Sequence, residues 1–188
     1  MGEEHEIMGK QILVIKGSPR KYGNTSALAD AFAEGATESG NTVREILLKE
    51  KTIGDCLGCG GCQENGGQCV QKDDMPQIAE AMMAADVIVL ASPIYFYTWT
   101  SLMKRMIDRT FAVVPLLKNK TFYLLGAGAA TEEAYMQTMK DSFTQYVSCF
   151  GAGGNAVGGI LFACGTNGAD DVKKMPVLKE AHTMGAGS

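Results

Sequence analysis

The sequence predicts an α/β domain, a five-stranded parallel sheet with helices on both faces. Three observations predict it: apolar runs with no in/out alternation, helically spaced apolar residues between them, and a loop rich in glycine, proline or serine after several of the runs. Ile12-Leu13-Val14-Ile15 reads as the first strand, ending at Gly17-Ser18-Pro19. Leu28, Ala31, Phe32 and Gly35 then mark a helix that stops by Gly40. Val43 to Leu48 is a second strand, and a glycine- and cysteine-rich segment, Gly54 to Cys69, follows as an inserted loop. Pro76 opens a helix carrying Ile78, Ala79, Met82 and Met83, and Val87 to Ala91 is a third strand that stops at Ser92-Pro93. Leu102, Met103, Met106 and Ile107 share one helix face. Thr121 to Leu125 is a fourth strand ending at a Gly126-Ala127-Gly128 loop, and Met136, Met139, Phe143 and Val147 line the next helix. Val157 to Phe162 is the fifth strand. Beyond it Pro176 permits a short last helix before a frayed Gly-Ala-Gly-Ser tail.

This alternation fits the flavodoxin-like doubly wound order 2-1-3-4-5, in which ligands bind beyond the carboxyl ends of strands one and three. The expected organisation is a tail over 1–9, with Met8-Gly9-Lys10 as a natural start, and one domain over 10–184 with a cysteine-rich loop at 54–75. A length of 188 residues, 46% hydrophobic, suffices for a real core. A formal charge of −4 without a basic run argues against nucleic acid and anionic lipid as partners. No apolar stretch has the length of a membrane span, and the polar, glutamate-bearing start predicts a soluble, cytoplasmic protein. Glu6 stands where myristoylation needs serine or threonine.

The first strand-to-helix loop, Gly17 to Ser26, suits an anion. Its amides converge on the positive end of a helix dipole, Ser18, Asn24, Thr25 and Ser26 can donate to phosphate oxygens, and Arg20 supplies charge. The plainer alternative is a helix cap by Asn24 or Thr25 with Arg20 solvated. The loop is neither a Walker loop nor a dinucleotide fingerprint, which leaves a monophosphate such as that of FMN.

Gly17-Ser18-Pro19-Arg20 followed by Gly23-Asn24-Thr25 resembles the phosphate loop of the flavodoxin-like NAD(P)H-dependent FMN reductases, and the element order is similar from about Lys10 to about Phe162. A second match is Ser92-Pro93-Ile94-Tyr95, which in that family packs along the isoalloxazine ring. Pro93, Ile94, Tyr95 and Phe96 are the implied ring contacts. A flat heteroaromatic needs an apolar wall and backbone amides, and this segment has both. For Tyr97 and Trp99, core or dimer packing ranks above ring contact. Gly126, Ala127 and Gly128 correspond to the third flavin loop, where small residues let backbone approach the ring. The resemblance implies FMN as cofactor, NAD(P)H as electron donor, a ping-pong cycle with a small-molecule or protein acceptor, and a homodimer built partly on the aromatic loop. With only two histidines, His5 and His182, both near the termini, no catalytic side chain is assigned: the cofactor carries the chemistry.

Cys56, Cys59 and Cys62 stand at intervals of three with glycines between them, and Cys69 follows after six residues. Such a run lets one backbone segment wrap an inorganic cluster, with Cys69 as fourth ligand. Zinc is an alternative, although its structural sites more often pair two separated Cys-x-x-Cys hairpins, and small packed thiols are another. The spacing resembles that of the iron-sulfur flavoproteins, a branch of the same family, and implies a 4Fe-4S cluster placed close to the flavin edge. The alternative function is a flavin and iron-sulfur electron carrier that serves a protein partner without oxidising NAD(P)H directly. Cys149 and Cys164 fall outside the spacing and read as buried thiols.

Overall fold

The computed structural model describes residues 9–151 and 153–188, so all but the last residue of the expected tail over 1–9 lies outside the described residues. Five strands form one sheet: β1 (Gln11–Lys16), β2 (Thr42–Leu47), β3 (Val87–Pro93), β4 (Thr121–Gly128) and β5 (Ala156–Cys164). All neighbours are parallel, in the order β2-β1-β3-β4-β5. The helices are α1 (Asn24–Glu38), the single turn α2 (Gly61–Glu64), α3 (Met75–Ala84), α4 (Ser101–Arg109), α5 (Gln137–Ser148) and α6 (Val177–Ala186).

The unbroken apolar runs are explained by two cores, one on each face. Leu13, Ile15, Ile88, Leu90, Phe122 and Leu124 point to a layer closed by Ile78 and Met82 of α3, Met103 and Met106 of α4, and Met139 and Phe143 of α5. The residues between them, Ile12, Val14, Val87, Val89, Tyr123 and Leu125, meet Leu28 and Phe32 of α1 and Ala181 of α6. Each fully buried Leu, Ile or Phe contributes about 1.5–3 kcal/mol, so the central strands are fixed in register from both sides. Edge strands β2 and β5 are the more exposed ones, and only β2 carries polar and charged residues on its outer positions.

Three features differ from the sequence reading. The last helix is longer than expected and does not fray: Gly185 lies so close to α1 that a Cβ there would stand 2.0 Å from the Phe32 carbonyl oxygen, and one on Gly35 would stand 2.1 Å from that of His182. Two glycines thus let two backbones touch, and α6 runs to Ala186, past the expected end at 184. Secondly, Pro93 and Gly126-Ala127-Gly128 are strand, not loop, because Pro93 pairs in register with Ala127, and Gly128 with Cys164. Thirdly, Cys149 is exposed just beyond α5 and Cys164 is only partly buried at the end of β5; neither is a core thiol. No helix among the described residues is long and apolar enough to cross a membrane.

Candidate cofactor site

The loop after β1 reaches α1 through Gly23, whose extended backbone (φ 161, ψ 178) starts the helix without any side-chain cap. Neither Asn24 nor Thr25 caps it, against the cap of the plainer reading, while Arg20 is exposed as that reading expects. The N–H groups of Asn24, Thr25 and Ser26, the first three of the helix, therefore lack intrahelical acceptors and face the end where the dipole favours an anion. Ser18, Thr25 and Ser26 are buried polar residues, 7%, 4% and 5% exposed. Asn24 is placed differently from expectation: its Nδ2 donates to the Gly168 carbonyl (2.7 Å) and its Oδ1 accepts from Val172 N–H (3.1 Å). It ties α1 to the segment after β5 and offers an anion chiefly its backbone N–H.

Ser18, Arg20, Asn24 and Thr25 share one cleft of about 250 Å³ with Pro93, Ile94 and Tyr95 and with Ala127, Gly128 and Ala129. A second hollow of about 280 Å³, walled by Phe96, Tyr97, Tyr135 and Met136, shares Ile94, Gly128 and Ala129 with the first. The two hollows form a run from a polar, cationic end to an aromatic end. Ser26 and Gly126 do not line it. Gly126 makes room for Phe162 instead, since a Cβ there would lie 2.6 Å from that ring.

Sequence reasoning missed Thr166 and Asn167, which line the cleft from the loop after β5. Thr166 is anchored by its N–H and its hydroxyl on the Gly128 carbonyl, at 2.9 and 3.1 Å. The available signal was the small polar run Gly165-Thr166-Asn167-Gly168 directly after the fifth strand, where this topology also points at the ligand end.

Buried Thr100 joins the walls. Its hydroxyl donates to the Gly17 carbonyl (2.7 Å) and accepts from Met103 N–H (3.2 Å), so one residue caps α4 and fixes the loop between β1 and α1 against it. Between β3 and Thr100, Tyr95 and Thr98 exchange backbone hydrogen bonds around Phe96 and Tyr97, which have φ values of 48° and 68°. Left-handed backbone at two bulky residues costs about 1–3 kcal/mol each, and such strain clusters at ligand clamps. Phe96 is 97% exposed, so packing within the chain does not repay it. Trp99 by contrast is core: it is buried, its Nε1 donates to Ser142 Oγ (2.8 Å), and it packs on Phe143.

The cysteine loop leaves β2 at the same end of the sheet, but none of its residues lines the cleft. It lies on α4 and the turn Thr110–Val113 that follows. Arg105 Nε donates to Asp55 (2.8 Å), Gln63 Nε2 to the Phe111 carbonyl (3.2 Å), and Gln71 Nε2 to the Asp55 carbonyl (2.8 Å). Both roots of the loop meet at a buried ion pair. Arg109 Nη1 donates to Asp73 Oδ2 (2.6 Å) and to the Gly54 carbonyl (2.8 Å), and Nη2 to Asp73 Oδ1 (3.1 Å) and to Cys69 Sγ (3.4 Å). Asp73 also accepts from Gly54 and Met75 N–H. Burial would raise the Asp73 carboxyl, but the Arg109 hydrogen bonds and the two backbone N–H groups outweigh it and hold its pKa below the ordinary value. Burial likewise opposes the Arg109 charge, but Asp73 and, after it, Cys69 together outweigh burial and hold its pKa above the ordinary value. Cys56 and Cys59 are exposed, and Cys62 and Cys69 partly buried. The four thiols do not converge into a ligand group among the described residues. The donor set nonetheless fits an iron-sulfur cluster: four thiols on a glycine-rich loop, with left-handed turns at Gly58 and Gly60 to wrap it and a buried guanidinium beside one sulfur to offset anionic charge.

Comparison with known proteins agrees with this architecture. Over 108 residues, 56% of this chain and 49% of the other, it is 42% identical to an iron-sulfur flavoprotein of Archaeoglobus fulgidus. It is 34% identical over 122 residues to one of Methanocaldococcus jannaschii, covering 64% of this chain and 63% of that one. The chain spans about half the length of the Archaeoglobus relative. Among solved structures, an NAD(P)H:quinone oxidoreductase from Methanothermobacter marburgensis superposes with a TM-score of 0.77 over 95% of this chain and 98% of that one, at 16% identity. An azoreductase from Bacillus anthracis gives 0.74 over 95% and 100%, at 17%. At such identities the likeness is one of fold. Residues 11–158 match the family model described as NADPH-dependent FMN reductase, and with that match over most of its length the chain belongs to the NADPH-dependent FMN reductase family.

Proposed function

We propose that the cleft holds FMN and that the protein passes electrons from NAD(P)H through FMN to an acceptor, with Cys56, Cys59, Cys62 and Cys69 holding a 4Fe-4S cluster that serves the onward step. The observation that carries this reading is the convergence of four strand ends, after β1, β3, β4 and β5, on one cleft with an uncapped helix N-terminus at one end and aromatics at the other.

The phosphate falls to the α1 N–H groups with the Ser18 and Thr25 hydroxyls, and Arg20 adds charge from the rim. Ile94 and Tyr95 wall the ring on the β3 side. Ala127 and Gly128 present backbone without bulk on the β4 side, and Ile94 N–H is already committed to the Ala127 carbonyl (2.9 Å), which sets the spacing of the two walls. Bound FMN supplies a ring that takes an electron pair as hydride and releases it again. Phe96, Tyr97 and Tyr135 offer an exposed aromatic surface where a nicotinamide or an acceptor ring can lie flat, and where a second copy of the chain can complete the site. A cluster on the four cysteines supplies one-electron exchange with a protein partner, and the exposure of Cys56 and Cys59 puts that site at the surface.

Anaerobic iron, sulfide and flavin analysis tests the cofactor set. The expected composition is one FMN per chain with about four irons and four sulfides, the metal lost in Cys59→Ala and the FMN kept. Reconstituted protein whose visible spectrum shows flavin bands alone removes the cluster and leaves a flavin-only reductase.

A further inference from the structure

Arg109 has one buried nitrogen without a partner. Its side chain is 1% exposed, both terminal nitrogens are fully used, and Nε alone among buried side-chain nitrogens and oxygens of the described residues makes no hydrogen bond. A guanidinium is planar, with five N–H groups in fixed directions. The end of the fork, Nη1 and Nη2, clasps Asp73. The side of the fork presents a second parallel pair, one N–H from Nη2 and the one from Nε. Nη2 already points at Cys69 Sγ, so Nε–H is aimed alongside that sulfur at a position where no acceptor of the chain stands. A buried unpaired N–H of a charged group costs about 1–3 kcal/mol or more, so the arrangement calls for an acceptor that is not part of the polypeptide.

We propose that the side edge of Arg109 grips the sulfur centre at Cys69, with Nη2–H on the Cys69 sulfur and Nε–H on a second sulfur of the cluster beside it, and that this pair of bonds raises the cluster's reduction potential. The inference rests on the cluster reading above and deepens it. The sign follows from charge: reduction adds an electron to an already anionic centre, charge-assisted hydrogen bonds strengthen with that charge, and hydrogen bonds to the sulfurs are a recognised determinant of cluster potential. Asp73 makes Arg109 a fixed instrument. It holds the fork end-on while the Gly54 carbonyl takes the last Nη1 proton, so the side edge has one orientation only. Arg109 is accordingly a positioning residue that acts through the sulfurs.

The test is the midpoint potential of the cluster in anaerobically reconstituted protein, read by electron paramagnetic resonance during a redox titration, with iron and sulfide content measured on the same samples. Arg109→Lys keeps a cation for Asp73 but has no planar fork. The double variant Arg109→Gln/Asp73→Asn removes both charges together, so no buried ion is stranded if the lysine variant fails to fold. Both variants are expected to retain iron and to shift the ratio of oxidised to reduced cluster at a fixed potential about tenfold toward oxidised, equal to about 59 mV downward for a one-electron couple. Unchanged potential in iron-loaded variants overturns the proposal and leaves the cluster standing. Failure of the parent protein to take up iron and sulfide overturns both.

Discussion

Thr25 places a buried hydroxyl in the first turn of an uncapped helix. Thr25→Ala is expected to weaken FMN by about 1–3 kcal/mol, the worth of a hydrogen bond to a charged group, measured by fluorescence titration of apoprotein. Arg20 is exposed, so Arg20→Ala belongs at the low end of that range and its effect shrinks with salt. Equal affinity in both variants and the parent rejects the phosphate assignment. At this scale the sequence was legible where residue type and position suffice, as for Ser18 and Thr25 at a strand-to-helix turn. It could not show where a partner distant in sequence takes a side chain or a space: Asn24 lines the cleft, but Gly168 and Val172 engage its side chain, and Phe162 fills the room beside Gly126. Thr166 and Asn167 escaped because their segment carries no periodicity and gains its meaning only from β5 delivering it to the cleft.

At the scale of elements, two contacts carry testable weight. The turn at Phe96 and Tyr97 is strained without internal compensation, so Tyr97→Gly is expected to stabilise the protein by about 1 kcal/mol, a rise in Tm of about 2–4 °C for a chain of this size, while weakening whatever the aromatic surface binds. A lower Tm in a differential scanning measurement contradicts the strain argument. The α1 and α6 contact depends on missing side chains. Gly185→Ala forces a methyl against the Phe32 carbonyl and is expected to cost about 1–3 kcal/mol in urea unfolding, with FMN binding weakened less than stability. The same contact explains why the sequence understated α6: the polar run before Pro176 and a glycine-bearing end look like fraying until the second backbone is in place. Helices with a one-faced apolar pattern were legible for the opposite reason: Met103 and Met106 of α4, and Ile78, Ala79 and Met82 of α3, are buried as their spacing states, although Met83 at the edge of the α3 pattern is exposed.

Across the whole molecule, the parallel sheet and its switch point were legible because consecutive strands and crossovers leave few topologies open. The clamp on the cysteine loop was not, since Arg109 and Asp73 are ordinary charged residues 36 positions apart. That pair has a pH signature. The Asp73 pKa is depressed in the fold, so its stabilisation is present above the unfolded carboxyl pKa and is lost as pH falls through the lower folded value. Asp73→Asn is expected to cost about 3–5 kcal/mol at neutral pH, by leaving Arg109 buried and unpaired, and to lose less further stability on acidification than the parent. Parallel acid profiles for the two proteins in denaturant titrations contradict this. The central claim is that the cleft after β1, β3, β4 and β5 is a flavin site that accepts electrons from a nicotinamide, and an anaerobic titration with NADPH, and with NADH beside it, tests it most directly. FMN-loaded protein is expected to lose its flavin absorption band on addition of one of the two in about one equivalent, and Thr25→Ala at limiting FMN to give a correspondingly smaller change. Protein that holds FMN yet keeps the full band with both nucleotides contradicts the reductase reading and leaves an electron carrier loaded by a protein partner.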